Sequence, residues 1–268
     1  MRRAATNETG ASVTIRIERH GAVAHLVLAR PDRLNALTPD MMEQLGEATL
    51  ELQQDAGVRA VLLRGEGRAF CAGADVGTMT GFDVVSGRAR IHRAHRVISG
   101  LANLDKPVIA AVRGATVGVG WSFAMACDLL LASDNARFGQ VFKKIGLAPD
   151  GAAAYFLSQM IGTLRARALM LSARLVEAPE ALALGLVNEV VPDAQLESRA
   201  AALADELAES ATFALAMGKR LFRGAVQPSL EAFLELESQV QNLVLQSADH
   251  KEGAAAFREK RKPNFVGH

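Results

Sequence analysis

Twice in this 268-residue chain a short apolar run breaks into glycine and alanine and then into a helical pattern. Residues 60–64 lead through Gly65-Glu66-Gly67 into Phe70-Cys71-Ala72-Gly73-Ala74-Asp75, and residues 108–112 lead into Gly114-Ala115-Thr116-Val117-Gly118-Val119-Gly120. An apolar run of that length reads as a buried strand, and strands alternating with helices imply an α/β fold with crossover connections. Tiny side chains just past a strand mark backbone that must come close to something, and the first N–H groups of a following helix lack partners at its positive end. Two such loops can flank one oxygen. Donors oriented in advance stabilise charge that appears on that oxygen only as a reaction proceeds, and losing one typically costs about 2.7–4 kcal/mol. Either loop alone is also ordinary strand-to-helix turn chemistry. Gly118-Val119-Gly120 lacks the third glycine of a dinucleotide fingerprint, and no Gly-Lys-Ser/Thr phosphate loop exists.

The flanking pattern agrees with an α/β chain. Residues 13–18 alternate apolar and polar, His20-Gly21 interrupts, and residues 23–28 resume, which predicts a hairpin. Thr38-Pro39-Asp40 is a helix start, with a capping hydroxyl, proline at the first position and an acid at the positive end; the helix should run to about Asp55. Further helices are predicted around residues 91–101 and 121–127, with a strand at 129–132 between the second helix and the rest. From Ile161 onward the chain reads as almost wholly helical, broken at Pro179, Gly185, Pro192, Gly218, Gly224 and Pro228.

A formal charge of +1 produces no field that would collect nucleic acid or an anionic membrane, so an anionic ligand must be bound locally. No apolar stretch approaches the roughly 20 residues of a membrane span, and residues 1–12 lack the apolar core of a secretory signal. Cys71 and Cys127 are the only cysteines, which suits a reducing interior rather than a disulfide framework. The expectation is a cytoplasmic protein with neither a nucleic-acid nor a membrane partner.

Six stretches then occur in a telling order: Arg30-Pro31-Asp32-Arg33-Leu34-Asn35-Ala36-Leu37, Ala69-Phe70-Cys71-Ala72-Gly73-Ala74-Asp75, Lys106-Pro107-Val108-Ile109-Ala110-Ala111-Val112-Arg113-Gly114, Ala124-Met125-Ala126-Cys127-Asp128, Leu184-Gly185-Leu186-Val187, and Glu252-Gly253 with Ala256-Phe257-Arg258-Glu259-Lys260-Arg261. From about Val13 to Phe265 the chain resembles the crotonase family, the enoyl-CoA hydratase/isomerase superfamily. The resemblance implies a crotonase-like spiral of ββα units over residues 1–200, including an N-terminal tail, and a C-terminal helical trimerisation region over 201–268. It implies a homotrimer or dimer of trimers acting on an acyl-CoA, with coenzyme A part of the substrate and no separate cofactor. By the same matching, the N–H groups of Ala72 and Val119 are the oxyanion donors. Val119 stands where glycine is more usual, which requires that its backbone not be left-handed. Arg33, Leu34, Ala72, Gly73, Ala74 and Asp75 would lie along the CoA, and Phe257 and Lys260 would reach a CoA bound to a neighbouring subunit.

The reaction turns on three further positions. The family's hydratases use two glutamates, and the matching positions here are Ser122 and Phe142. Adding water needs one group to accept a proton and another to give one, which a hydroxyl without a base and a phenyl ring do not supply. Asp150 stands where the hydratases typically carry glycine and the family's double-bond isomerases carry aspartate. Isomerisation is thus favoured over hydration, with Asp150 as the base, desolvated by Phe142, Trp121 and Leu147, and Ser122 and Phe142 lining the acyl site. Pro149-Asp150-Gly151 is also ordinary turn chemistry. The alternatives are hydratase-like, hydrolase or decarboxylase activity on an acyl-CoA, and a non-catalytic acyl-CoA-binding protein. His92 and His95 lack a third ligand at suitable spacing, so no metal is expected, and His92 is retained as a secondary acid or base. Cys71 lacks a partner base, and Asp75 and Asp128 read as structural caps.

Overall fold

The computed structural model describes residues 14–79, 81, 83–226 and 229–268; the tail expected over 1–12 and the first expected strand residue, Val13, lie outside them. β1 (Ile15–His20) and β2 (Val23–Leu28) form the predicted hairpin, turning at Gly21 with φ +59°. α1 (Pro39–Gln54) begins as expected: the Thr38 hydroxyl accepts from the Met41 N–H, and Met41, Leu45, Ala48 and Leu52 form its buried face. β3 (Ala60–Gly65), α2 (Val84–Asn103) and β4 (Val108–Val112) follow. Next come β5 (Ala115–Val117), α3 (Val119–Met125), β6 (Leu129–Ser133), β7 (Arg137–Gly139), α4 (Ala153–Ile161) and α5 (Thr163–Ser172). The chain ends with β8 (Val176–Glu177), α6 (Ala178–Ala183), β9 (Glu189–Val191), α7 (Leu196–Ala208), α8 (Thr212–Gly224), α9 (Leu230–Leu245) and α10 (Ala248–Glu259).

The large sheet has the order β1-β2-β3-β4-β6-β9, parallel except for the β1–β2 pair, and a small sheet has the order β5-β7-β8. Successive β4-β5-α3 and β6-β7-α4 units each give one strand to either sheet, which is the repeat of the expected α/β spiral. Alternation along the strands separates two cores. Val61, Leu63, Val108, Ala110 and Val112 pack under α1, α2 and α3, while Ala60, Leu62, Ile109 and Ala111 face α7 through Leu196, Ala200, Ala204 and Ala208. Alanines every fourth residue let α7 lie close on the sheet.

Two expectations are corrected here. The stretch after Ile161 is not wholly helical: β8 and β9 interrupt it, two and three residues long, too short to display a period. The boundary placed after residue 200 falls inside α7, which belongs to the sheet core. Beyond it, α8 and α9 pack around Ala216, Met217 and Val240, and α10 follows. Their end folds back: Arg59 donates to the carbonyls of Ser210 and Phe265 at 2.7 and 2.8 Å, and the buried Asp249 carboxylate accepts from the N–H groups of Val266 and Gly267.

Among the described residues, Leu34 and Asn35 are consecutive non-glycine residues with left-handed backbones, φ +51° and +55°. The reversal turns the fully buried Asn35 amide inward, where Nδ2 donates to the carbonyls of Glu66, Ala69 and Phe70 at 2.8–3.1 Å and Oδ1 accepts from the Arg30 N–H. One side chain thus shapes the start of the first glycine loop. Replacing it with alanine leaves several buried backbone groups without partners, each costing about 1–3 kcal/mol. Asn35→Ala is expected to lower unfolding stability by about 3 kcal/mol or more in urea titration; a loss below about 1 kcal/mol would deny Asn35 this organising role.

Candidate active site

The two glycine loops touch through their backbones. The N–H groups of Phe70 and Cys71 donate to the carbonyls of Arg113 and Ala115, and Val117 N–H donates to the Cys71 carbonyl. Gly73 has φ +89°, and a β-carbon there would stand 3.1 Å from the Val117 carbonyl oxygen. A β-carbon at Gly118, φ +56°, would stand 3.9 Å from the Gly73 α-carbon, and one at Gly120 would meet Cys71 Sγ at 2.6 Å. The contact at Gly120 leaves no room for a β-carbon, and at Gly73 and Gly118 the left-handed backbone favours glycine.

Which N–H groups remain for a ligand follows from the ladder. Ala72, expected as the first donor, gives its N–H to the Leu34 carbonyl at 2.9 Å and has none to spare. Leu37 N–H donates to the Gly73 carbonyl and Asp75 N–H to the Leu37 carbonyl, so Ala74 lies between two ladder bonds with its own N–H on the other side. Among the described residues that N–H has no acceptor, and neither has the N–H of Val119, the first residue of α3. Val119 is not left-handed, as a β-branched residue there requires. Ala74 and Val119 both line a cavity of about 120 Å³ whose other walls include Phe142, Ile145, Leu147 and Asp150. A second, smaller cavity shares Ala74, Val119 and Asp150 and extends to Arg90 and Arg93 on α2.

Asp150 arrives from the segment between the single 3₁₀ turn at Phe142–Ile145 and α4, and its side chain is only 16% exposed. Carboxylate Oδ2 lies 3.5 Å from an Arg90 nitrogen, while Oδ1 is buried and has no partner among the described residues. Burial pushes the carboxyl above the ordinary aspartate range; the Arg90 guanidinium, and more weakly the charge of His95, oppose that. Gly151, with φ +61°, brings the chain against Ser122 and Val119, since a β-carbon there would stand 3.0 Å from each side chain.

The other expected site residues divide. Phe142 is buried and lines the larger cavity with Leu147, whereas Trp121 packs on Phe138 in the core and does not reach the cavity. Ser122 is fully buried, and its hydroxyl lies 3.3 Å from the backbone carbonyl of Asp150 and 3.5 Å from that of Gly118; it holds backbone and does not line the cavity. Asp75 pairs with Arg30 at 2.7 Å and caps the turn at Val76–Thr78, which holds its carboxyl below the usual range. Arg33 is exposed and Leu34 half-buried beside the first loop; Phe257 and Lys260 lie exposed near the end of α10. His92 is exposed, accepts from Arg88 and lines neither cavity. Cys71 is buried with its thiol pushed up to about 12, so it offers no thiolate. Asp128 accepts from the Val108 N–H and pairs with Lys219 at 2.7 Å, tying β4 to α8.

Asn35 and Arg90 were not singled out by the sequence as site-forming residues. Asn35 sits inside a quoted motif, where a polar residue among apolar neighbours was the available signal. Arg90 is 60 residues from its partner on a helix rich in arginine and carries no signal at all. Among the described residues, Glu18, His20 and His25 form the single histidine–carboxylate group with metal-like spacing. Glu18 already pairs with Arg16 and Arg64 at 3.1 and 2.7 Å, so two cations occupy the carboxylate that a metal would need. A larger groove of about 690 Å³ between α2, α4 and α8 contains neither glycine loop nor Asp150. No described helix is long and apolar enough to cross a membrane.

The geometry of paired loops agrees with the comparisons. Residues 18–268 match the profile of the family described as Enoyl-CoA hydratase/isomerase. The chain is 36% identical to a short-chain-enoyl-CoA hydratase of Clostridium acetobutylicum, covering 92% of this chain and 95% of that one. It is also 36% identical to a 1,2-epoxyphenylacetyl-CoA isomerase of Escherichia coli, covering 91% and 95%. A putative enoyl-CoA hydratase from Streptomyces coelicolor has a solved structure that superposes with a TM-score of 0.92 at 34% identity, over 98% of both chains. A profile spanning nearly the whole chain, relatives covered almost end to end and a shared fold establish that the chain belongs to the enoyl-CoA hydratase/isomerase family of acyl-CoA enzymes.

Proposed function

We propose that this chain isomerises the double bond of an unsaturated acyl-CoA, with the N–H groups of Ala74 and Val119 holding the thioester oxygen and Asp150 as the base. The observation that carries this reading is the largely buried Asp150 carboxyl on the wall of a cavity that Ala74 and Val119 also line, with Oδ1 lacking a partner among the described residues. Asp150 takes a proton from one carbon of the acyl chain, the bonding pair enters a dienolate, and negative charge collects on the thioester oxygen between the N–H groups. The proton then returns to a different carbon. One carboxylate suffices because the group that removes the proton also restores it.

Hydration is the second reading, supported by the hydratase names of most relatives, and overall identity does not separate the two, since the named hydratase and isomerase are equally similar. What favours isomerisation is local: Ser122 is turned to backbone carbonyls and Phe142 has no proton to exchange. Arg33, Leu34 and the Ala72–Asp75 segment are read as CoA contacts. The exposure of Phe257 and of Phe222, 87% and 82%, supports a C-terminal region that meets a neighbouring subunit in a homotrimer or dimer of trimers.

Incubation with 2-enoyl, 3-enoyl and dienoyl thioesters in heavy water, followed by mass spectrometry, separates the readings. Deuterium incorporation with a moved double bond is expected; gain of water would point to a hydratase, free CoA to a hydrolase, and binding alone to a non-catalytic protein. Asp150→Asn is expected to lower kcat by about 10²–10⁴ with KM little changed. Near-normal turnover in that variant would remove Asp150 from the mechanism.

The same carboxyl predicts a stability signature. Its folded-state affinity for a proton is raised by burial, so below the ordinary value near 3.8 it is protonated in both states and costs nothing. As pH rises past that value the unfolded chain ionises more readily, and the folded protein loses stability until the folded carboxyl has also ionised. Asp150→Asn is therefore expected to raise Tm at pH 8 and leave it nearly unchanged at pH 3; an equal shift at both would contradict the burial argument.

A further inference from the structure

Among the described residues, the Asp150 carboxylate has a single side-chain partner, and it comes from another element. Arg90, in the second turn of α2, places a guanidinium nitrogen 3.5 Å from Asp150 Oδ2 and lines the smaller cavity alongside Ala74, Val119 and Asp150. Both side chains are largely buried, 21% and 16% exposed. Arg93, one turn further on, lines the same cavity, but its guanidinium is held by Glu43 of α1 at 2.7 Å. His95 acts on Asp150 through its charge alone, and Lys144 lines the other cavity from the 3₁₀ turn. Among the described residues, Arg90 is thus the one cation within hydrogen-bond reach of the carboxylate.

We infer that Arg90 is a positioning residue for Asp150, steering one carboxylate oxygen from α2 and so fixing how the carboxyl meets the cavities it lines. This rests on the reading of Asp150 as the base. The separation is longer than the 2.7–2.9 Å of a tight charged pair, so the guanidinium steers the carboxylate without taking up all its acceptor capacity. A carboxylate bound in a close bidentate fork would be a poor base; one buried with no cation nearby would hold its proton at neutral pH. Arg90 balances these opposing demands.

The test reads the carboxyl directly. In protein labelled with ¹³C at the aspartate carboxyls, the Asp150 resonance is identified by its loss in Asp150→Asn, and its titration midpoint is followed in the wild type, Arg90→Gln and Arg90→Lys. Removing an opposite charge at this range is expected to raise the midpoint in Arg90→Gln by about one pH unit or more, with Arg90→Lys between that and the wild type. The acid limb of kcat/KM for deuterium exchange into the acyl chain should move in the same direction. An unmoved midpoint in Arg90→Gln, with near-ultraviolet circular dichroism confirming native packing, would overturn the inference. Because the titration needs no turnover, the outcomes stay separable: an active Asp150→Asn would end the reading of Asp150 as base, whereas an unmoved midpoint ends only the role of Arg90.

Discussion

Everything at the site depends on two stretches of backbone lying closer together than side chains allow. Gly73 against the Val117 carbonyl, Gly118 against Gly73, and Gly120 against the Cys71 side chain fix the separation of the loops, and with it the two N–H groups left without acceptors. The approach is enforced from both sides. On one side the reversed backbone at Leu34 and Asn35 carries an amide that gathers three carbonyls of the first loop. On the other, β5 pairs with Cys71 at Thr116, so the second loop is partly strand rather than free coil. N–H groups held by that much structure keep their direction whether or not a ligand is bound, which is the preorganisation the proposed role requires.

Against this rigid pair stands a carboxylate whose placement works against stability. Asp150 is drawn into an apolar cavity beside Phe142 and Leu147, with one oxygen unpartnered, on a segment held to α3 by the contact between its carbonyl and Ser122. Natural sequences depart from the usual rule of pairing buried charge chiefly where function requires it. Ser122 and Phe142 fit the same picture: the hydroxyl is turned to backbone and the ring forms part of the wall, so neither offers Asp150 a polar partner through its side chain.

Much of this was legible in the sequence, and the reasons vary by feature. Long elements with clear caps, such as α1 behind Thr38 and Pro39, follow from local chemistry alone. The strand-loop-helix order gave the α/β class, and glycine spacing located both loops. Which N–H of the first loop stays free was not legible, because that depends on a partner far along the chain: Ala72 is engaged by Leu34, 38 residues earlier, and Ala74 is spared by its position in the ladder with Leu37. Strands of two or three residues, β8 and β9, have no period to detect. Trp121 shows the same limit from the other direction, since its place in the chain is next to Ser122 but the turn of α3 sends it into the core.

The fold-back at the C-terminus links distant parts of the molecule. Arg59 sits immediately before β3 and grips both the residue preceding α8 by two positions, Ser210, and the chain's closing stretch at Phe265. One guanidinium thereby joins the start and the end of the stretch that holds α8 to α10, at the near end of the strand whose far end releases the first glycine loop, while Lys219 separately ties α8 to Asp128. The helical module and the loop carrying Ala74 thus both connect to β3, one at each end of the strand.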